Sequence, residues 1–127
     1  MWGPAVPHIL LVEDDNDVRM AFEQILLEAG HEVDISPTYQ GASDLLRRGD
    51  YNILIADGRL PDGSGIQLAD EARRKGIPAL IVTGNASVLL DESGLDFRKH
   101  RLLLKPVRSQ QLIEAVATAL RLSNGGQ

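Results

Sequence analysis

Four apolar runs in this chain each end in a group able to do chemistry. HILLV is followed by Glu13, Asp14 and Asp15; NILIA by Asp57; ALIV by Thr83; and RLLL by Lys105. Two or three carboxylates brought together in a cleft of low dielectric repel one another, so keeping them ionised needs a cation between them. Magnesium fits best: it prefers hard oxygen donors, binds through one or two carboxylates and completes its shell with water and substrate phosphate. Zinc would ask for histidine or cysteine. Lys105 adds a fixed positive charge and Thr83 a hydroxyl donor, which together suit the oxygens of a transferring phosphoryl group. Asp57 then fills the role of nucleophile, since carboxylates accept phosphoryl groups as aspartyl phosphates.

These residues act together only if the fold brings the ends of their runs to one rim. HILLV (8–12) is an unbroken apolar run of the kind that forms a strand buried on both faces. The helical spacing of Val18, Phe22, Ile25, Leu26 and Ala29 predicts a first helix, with Asn16 or Asp17 as its N-cap and Gly30 as its stop. HEVDI (31–35) alternates and predicts an outer strand; after Pro37 and Thr38 a second helix runs to Arg48. YNILIA (51–56) is a third strand, RLPDGSG a loop, and Ile66 to Lys75 a third helix closed by Gly76. ALIVT (79–83) is a fourth strand. Between Asn85 and Arg101 the apolar residues fit helical spacing poorly, and a short or irregular helix is expected there. RLLLK (101–105) is a fifth strand, and a last helix runs from Ser109 to about Leu122 with Leu112, Val116, Ala119 and Leu120 as its inward stripe.

Five strand and helix units in strict alternation predict an α/β fold, a parallel sheet with helices on both faces, because each parallel connection crosses over through a helix. In open sheets of this kind ligands bind beyond the carboxyl ends of the strands, where the strand order reverses. Glu13, Asp14, Asp15, Asp57, Thr83 and Lys105 all fall at those ends.

The motifs LLVEDDNDVR, LIADGRLPDGSG, LIVTGN and LLLKP, in this order, resemble the receiver domain of two-component response regulators over essentially the whole chain. The resemblance implies a doubly wound, flavodoxin-like five-stranded parallel sheet of order 2-1-3-4-5. It implies that Asp57 is the phosphorylated aspartate, that Asp14 and Asp57 ligate Mg2+ (or Mn2+) together with the backbone carbonyl of Arg59, and that Glu13 reaches the ion through water. Asp15 is left without a family role. It makes Thr83 and Lys105 the catalytic and switch residues, and it implies a cis bond between Lys105 and Pro106. A sensor histidine kinase or a histidine phosphotransfer protein would supply the phosphoryl group, and the face formed by the fourth helix, fifth strand and last helix would report it. Arg59 and Asn85 flank the phosphoryl position as tuning residues. One position departs from the family: the aromatic residue three places before the lysine is Leu102 here.

Each residue also has a plainer reading. Asp57 alone could be a helix cap or turn former, and Glu13 to Asp15 a capping cluster at the positive end of a helix. Thr83 alone is a β-branched strand residue and Lys105 a solvated lysine before a turn. Their coincidence at four strand ends favours the site. His8, His31 and His100 share no ligand spacing, PDGSG lacks the lysine of a phosphate-binding loop, and Trp2 is a lone aromatic.

With 127 residues and no cysteine, one receiver domain (8–122) is expected between an N-terminal tail (1–7) and a C-terminal tail or linker start (123–127), either standing alone or as part of a longer regulator. Eighteen acidic against 13 basic residues give a net charge of −5, the wrong sign for gripping nucleic acid directly. No apolar run reaches the length of a membrane span, so a cytoplasmic protein is expected. Three function classes compete. The first is a phosphoacceptor receiver, catalysing only its own phosphorylation and dephosphorylation. The second is a phosphohydrolase of the haloacid dehalogenase type, which needs an acid where Arg59 stands. The third is a pseudo-receiver that docks a partner without phosphorylation, a reading that rests on Leu102 and the irregular fourth unit.

Overall fold

The computed structural model describes residues 6–85 and 101–124, and over them the predicted alternation is present. Five strands, β1 (His8–Val12), β2 (Glu32–Ser36), β3 (Ile53–Asp57), β4 (Ala79–Thr83) and β5 (Arg101–Leu104), form one parallel sheet of order β2-β1-β3-β4-β5. Four helices connect or follow them: α1 (Asn16–Glu28), α2 (Tyr39–Arg48), α3 (Gly65–Arg74) and α4 (Ser109–Asn124). The expected irregular unit at 86–100 lies outside the described residues, and so does the part of the reporting face that it would supply.

Side chains alternate across the sheet, and this alternation makes two cores. Leu10, Val12, Leu54, Ala56 and Ile81 meet Ala42 and Leu46 of α2 and Ile66, Leu68, Ala69 and Ala72 of α3. On the other face Ile9, Leu11, Ile53, Ile55, Leu80 and Val82 meet Phe22 and Leu26 of α1 and Leu112, Val116 and Ala119 of α4. Burying each of the valine, leucine, isoleucine and phenylalanine side chains among these contributes about 1.5–3 kcal/mol, so the middle strands are fixed in register by both faces. β2 is an edge strand, and its burial does not follow the alternation read from its sequence: Glu32 and Ile35, on opposite faces, are both exposed, Val33 and Asp34 are half-buried and Ser36 is buried.

Two local details differ from the sequence reading. The N-cap of α1 is Asp15, one residue before the expected Asn16 or Asp17. Its backbone is still extended, and its Oδ1 accepts the amides of Asp17 at 2.9 Å and Val18 at 3.1 Å. Secondly, the loop after β3 is not featureless: Arg59–Leu60 and Gly63–Ser64 pair as a small antiparallel hairpin with Pro61 and Asp62 at its tip.

His31 follows the left-handed Gly30, and its Nδ1 is buried with no hydrogen-bond partner among the described residues. Burial holds its pKa below the ordinary histidine value. The folded chain therefore binds fewer protons here than the unfolded one, and stability is lost as pH falls below the unfolded value of 6.5 and through the folded pKa. A His31→Leu variant is expected to show a flatter fall in melting temperature between neutral pH and about pH 5; parallel curves for the two proteins would refute this assignment.

Candidate functional site at the carboxyl ends of the strands

β1 ends at Val12, and the next residue turns its side chain inward beneath the rim: Glu13 is 2% exposed. Asp14 beside it faces solvent, and Asp57, the last residue of β3, is half-buried. One carboxylate oxygen from each of Glu13, Asp14 and Asp57 lies within 4.8 Å of the others. The backbone crossing from β5 to α4 delivers Lys105 to the same place, where its Nζ donates to Glu13 Oε1 at 2.8 Å and to Asp57 Oδ2 at 2.9 Å. Desolvation raises the Glu13 pKa most and the Asp57 charge raises it further; the hydrogen bonds from Lys105 and from the Asp15 amide offset only part of this. Burial alone would pull the Lys105 ammonium down, but its bonds to the two carboxylates outweigh that and hold its pKa above the ordinary lysine value.

The other predicted residues surround this cluster. The Arg59 amide donates to Asp57 Oδ1 at 3.0 Å, so both oxygens of Asp57 are engaged, one by backbone and one by an ammonium. Thr83 is buried at the end of β4, and its Oγ1 accepts the Asn85 amide at 3.2 Å. Arg19 of α1, the anchor of the LLVEDDNDVR motif, donates to the Glu13 carbonyl at 2.9 Å and so secures the acidic turn from behind. The Lys105–Pro106 bond is cis. Leu102 is half-buried and packs on the α2 and α3 side of the sheet, opposite Ile81 of β4.

Three aspartate and glutamate carboxylates without histidine or cysteine are a donor set for a hard divalent ion, and their mutual repulsion is only partly met by one lysine. The residues present therefore fit Mg2+.

A family model for the response regulator receiver domain matches residues 9–117. The chain belongs to this family. Among curated proteins the receiver is 33% identical over 117 residues to the response regulator protein PilR of Pseudomonas aeruginosa, covering 91% of this chain and 26% of that protein. It is 31% identical over 115 residues to the transcriptional regulatory protein CusR of Escherichia coli, covering 89% and 51%. The chain thus spans between a quarter and about half the length of the curated relatives it matches. Among solved structures, a CheY-like receiver domain protein of Methanospirillum hungatei superposes with a TM-score of 0.83 at 29% identity, covering 97% of this chain and all of that one. A receiver protein of Sinorhizobium medicae gives 0.83 at 27% identity, covering 93% and 97%. The predicted α/β class, strand order and family are all borne out. Among the described residues no helix of the receiver is long and apolar enough to cross a membrane.

Lys105 is bonded to both Glu13 and Asp57, so its removal exposes their mutual repulsion. Lys105→Met leaves a buried carboxylate beside a second one, and a destabilisation of about 2 kcal/mol is expected at neutral pH, discounted from the 3–5 kcal/mol of a fully buried pair because Lys105 is partly exposed. The loss shrinks as pH falls and the carboxylates protonate. Urea melts at pH 7 and pH 4.5 check this; an equal loss at both would overturn the electrostatic account.

Proposed function

We propose that the chain is a phosphoacceptor receiver that takes a phosphoryl group onto Asp57 from the phosphohistidine of a sensor histidine kinase or a histidine phosphotransfer protein. The observation carrying this reading is the convergence of Glu13, Asp14, Asp57 and Lys105 at one rim. Asp14, Asp57 and the Arg59 carbonyl would hold Mg2+ or Mn2+, with Glu13 acting through water. The ion, when bound, neutralises charge on the phosphoryl oxygens.

The chain's own residues do the rest. A carboxylate oxygen of Asp57 attacks phosphorus, the donor's N–P bond breaks, and its electron pair returns to the imidazole nitrogen. Lys105, already on Oδ2, is placed to compensate the growing negative charge, and the Arg59 amide keeps the carboxylate plane fixed. Water later attacks the same phosphorus, releasing inorganic phosphate and restoring the carboxylate, so the protein resets itself and is not a multiple-turnover enzyme on an outside substrate. With a charge near −2 and three acceptor oxygens on Asp57, the Thr83 hydroxyl is drawn from the Asn85 amide towards the phosphoryl group, and the loop carrying Asn85 follows. Arg59 and Asn85 tune how long the state lasts. Leu102 means that the readout works without a rotating aromatic ring, and the output partner, an unidentified protein or domain, reads loop and strand positions instead.

The domain boundaries, 8–122 between short tails, the cytoplasmic location and the absence of direct contact with nucleic acid or membrane belong to the same proposal. Incubation with acetyl phosphate and Mg2+, followed by intact mass measurement, tests it. One added phosphoryl group, absent when the ion is chelated before acetyl phosphate is added, is the expected result; no addition at any time point would leave the phosphorylation-independent docking reading in its place.

A further inference from the structure

The hairpin that follows Asp57 is fastened to a helix on the far side of the loop. Both carboxylate oxygens of Asp62, at the hairpin tip, accept backbone amides from the first turn of α2: Tyr39 N–H at 2.7 Å and Gln40 N–H at 3.0 Å, 23 and 22 residues away in sequence. α2 has no acidic residue in its own first turn, and its local cap, Thr38, satisfies only the next amide, that of Gly41, at 3.1 Å. Asp62 thus supplies the negative charge and the two acceptors that the helix end lacks. Although Asp62 is fully exposed, the two amides hold its pKa below the usual carboxylate range. Tyr39 secures the same junction a second way. Its ring lies so close to Gly63 that a Cβ there would come within 2.8 Å of it, while its hydroxyl donates to Glu71 of α3.

The other end of this hairpin is Arg59, whose amide bonds Asp57 Oδ1 and whose carbonyl belongs to the proposed ion site. Only Leu60 and Pro61 lie between Arg59 and Asp62, and Arg59 pairs with Ser64 across the hairpin. A unit this short moves as one piece.

We infer that Asp62 is a positioning residue for the acceptor site: by gripping the N-terminus of α2 it fixes the hairpin and so holds the Arg59 backbone against Asp57. The inference rests on the phosphoacceptor reading. Its reach is through geometry alone, since Asp62 itself touches α2 and not the carboxylate cluster.

Three variants separate positioning from plain stability. Asp62→Ala removes both acceptors, Asp62→Asn keeps one oxygen, and Thr38→Ala removes a cap from the same helix without touching the hairpin. Hydrogen exchange of the Arg59 amide and calorimetric titration with Mg2+ alone are the readouts, beside melting temperature. Asp62→Ala is expected to bind Mg2+ about threefold more weakly, less than the roughly tenfold that follows when a partner bonded directly to a ligand is lost, and to exchange the Arg59 amide at least severalfold faster, with Asp62→Asn intermediate. Thr38→Ala is expected to lower the melting temperature comparably and leave both site readouts at the wild-type value. Equal site readouts in wild type and Asp62→Ala, or equal shifts in Asp62→Ala and Thr38→Ala, overturn the role of Asp62 while leaving the acceptor site standing. A wild-type protein that binds no Mg2+ and takes up no phosphoryl group overturns the acceptor reading, and this inference with it.

Discussion

Asp57→Asn is expected to abolish phosphoryl uptake entirely while leaving the fold intact. The amide oxygen can still accept the Arg59 N–H that now bonds Oδ1, so the end of β3 keeps its backbone partner. The neutral amide is a far poorer nucleophile than a carboxylate, and no second acid occupies the same strand end. The substitution also removes a negative charge whose repulsion helps to raise the Glu13 pKa, and this relief opposes the weakened bond to Lys105. The two effects oppose one another, and metal-free stability is expected to change by less than about 1 kcal/mol. Mg2+ affinity should drop by more than the tenfold or so that follows from losing an outer-shell partner, because a direct ligand is gone. Intact mass after acetyl phosphate, a urea melt in chelator and a Mg2+ titration check the three statements. A variant that still gains a phosphoryl group would move the acceptor elsewhere, with Asp14 the first place to look.

The second large effect concerns a residue with no side chain. A Cβ built on Gly65 would stand 2.0 Å from the carbonyl oxygen of Asp57, 2.8 Å from its carbonyl carbon and 3.1 Å from the Cα of Gly58. All three obstacles are backbone, and the first is the strand end that carries the proposed acceptor. The Gly65 amide donates to the Gly58 carbonyl at 3.0 Å, so the two segments are bonded at the point of closest approach and cannot simply part. Overpacking of this kind costs about 3 kcal/mol or more, against a total stability of about 5–15 kcal/mol. Gly65→Ala should therefore melt about 10 °C lower than wild type, and the surviving folded protein should take up phosphoryl groups more slowly, since relief of the clash displaces Asp57. A melting temperature within about 2 °C of wild type would mean that the loop absorbs the methyl group freely, and the contact would lose its importance.

How far the sequence alone reached depended on the range over which each feature is encoded. β1 (His8–Val12) and β4 (Ala79–Thr83) coincide with HILLV and ALIVT, because a strand buried on both faces is written as an uninterrupted apolar run. β2 and β3 were each predicted one or two residues early, at His31 and Tyr51 instead of Glu32 and Ile53. His31 and Tyr51 are apolar enough to extend the pattern but lie before the ladder begins. The cap of α1 was misplaced by one because four polar residues in succession, Asp14 to Asp17, are all competent N-caps and periodicity fixes a helix start only to within a turn. Asp15 takes the role once Glu13 has turned inward. The cluster of Glu13, Asp14, Asp57 and Lys105 was legible because parallel topology sends every strand end to one rim. Asp62 and Gly65 were not. The first caps a helix that precedes it by more than twenty residues, and the second falls in the stretch RLPDGSG read as a loop, its glycine signal shared with Gly58 and Gly63. Such contacts leave no local periodicity to find.

Lys105 meets Glu13 across 92 residues of sequence, and it directly follows β5, the last strand of the sheet in chain order among the described residues. A chain emerging from the ribosome holds Asp57, the proposed acceptor, long before it holds this lysine. Until the fifth strand has joined the sheet, the acids face one another without their partner and the pocket does not yet exist. On the proposed reading, readiness to take up a phosphoryl group is thereby tied to completion of the sheet: a domain still lacking its fifth strand has the carboxylate but not the ammonium that would meet the added charge.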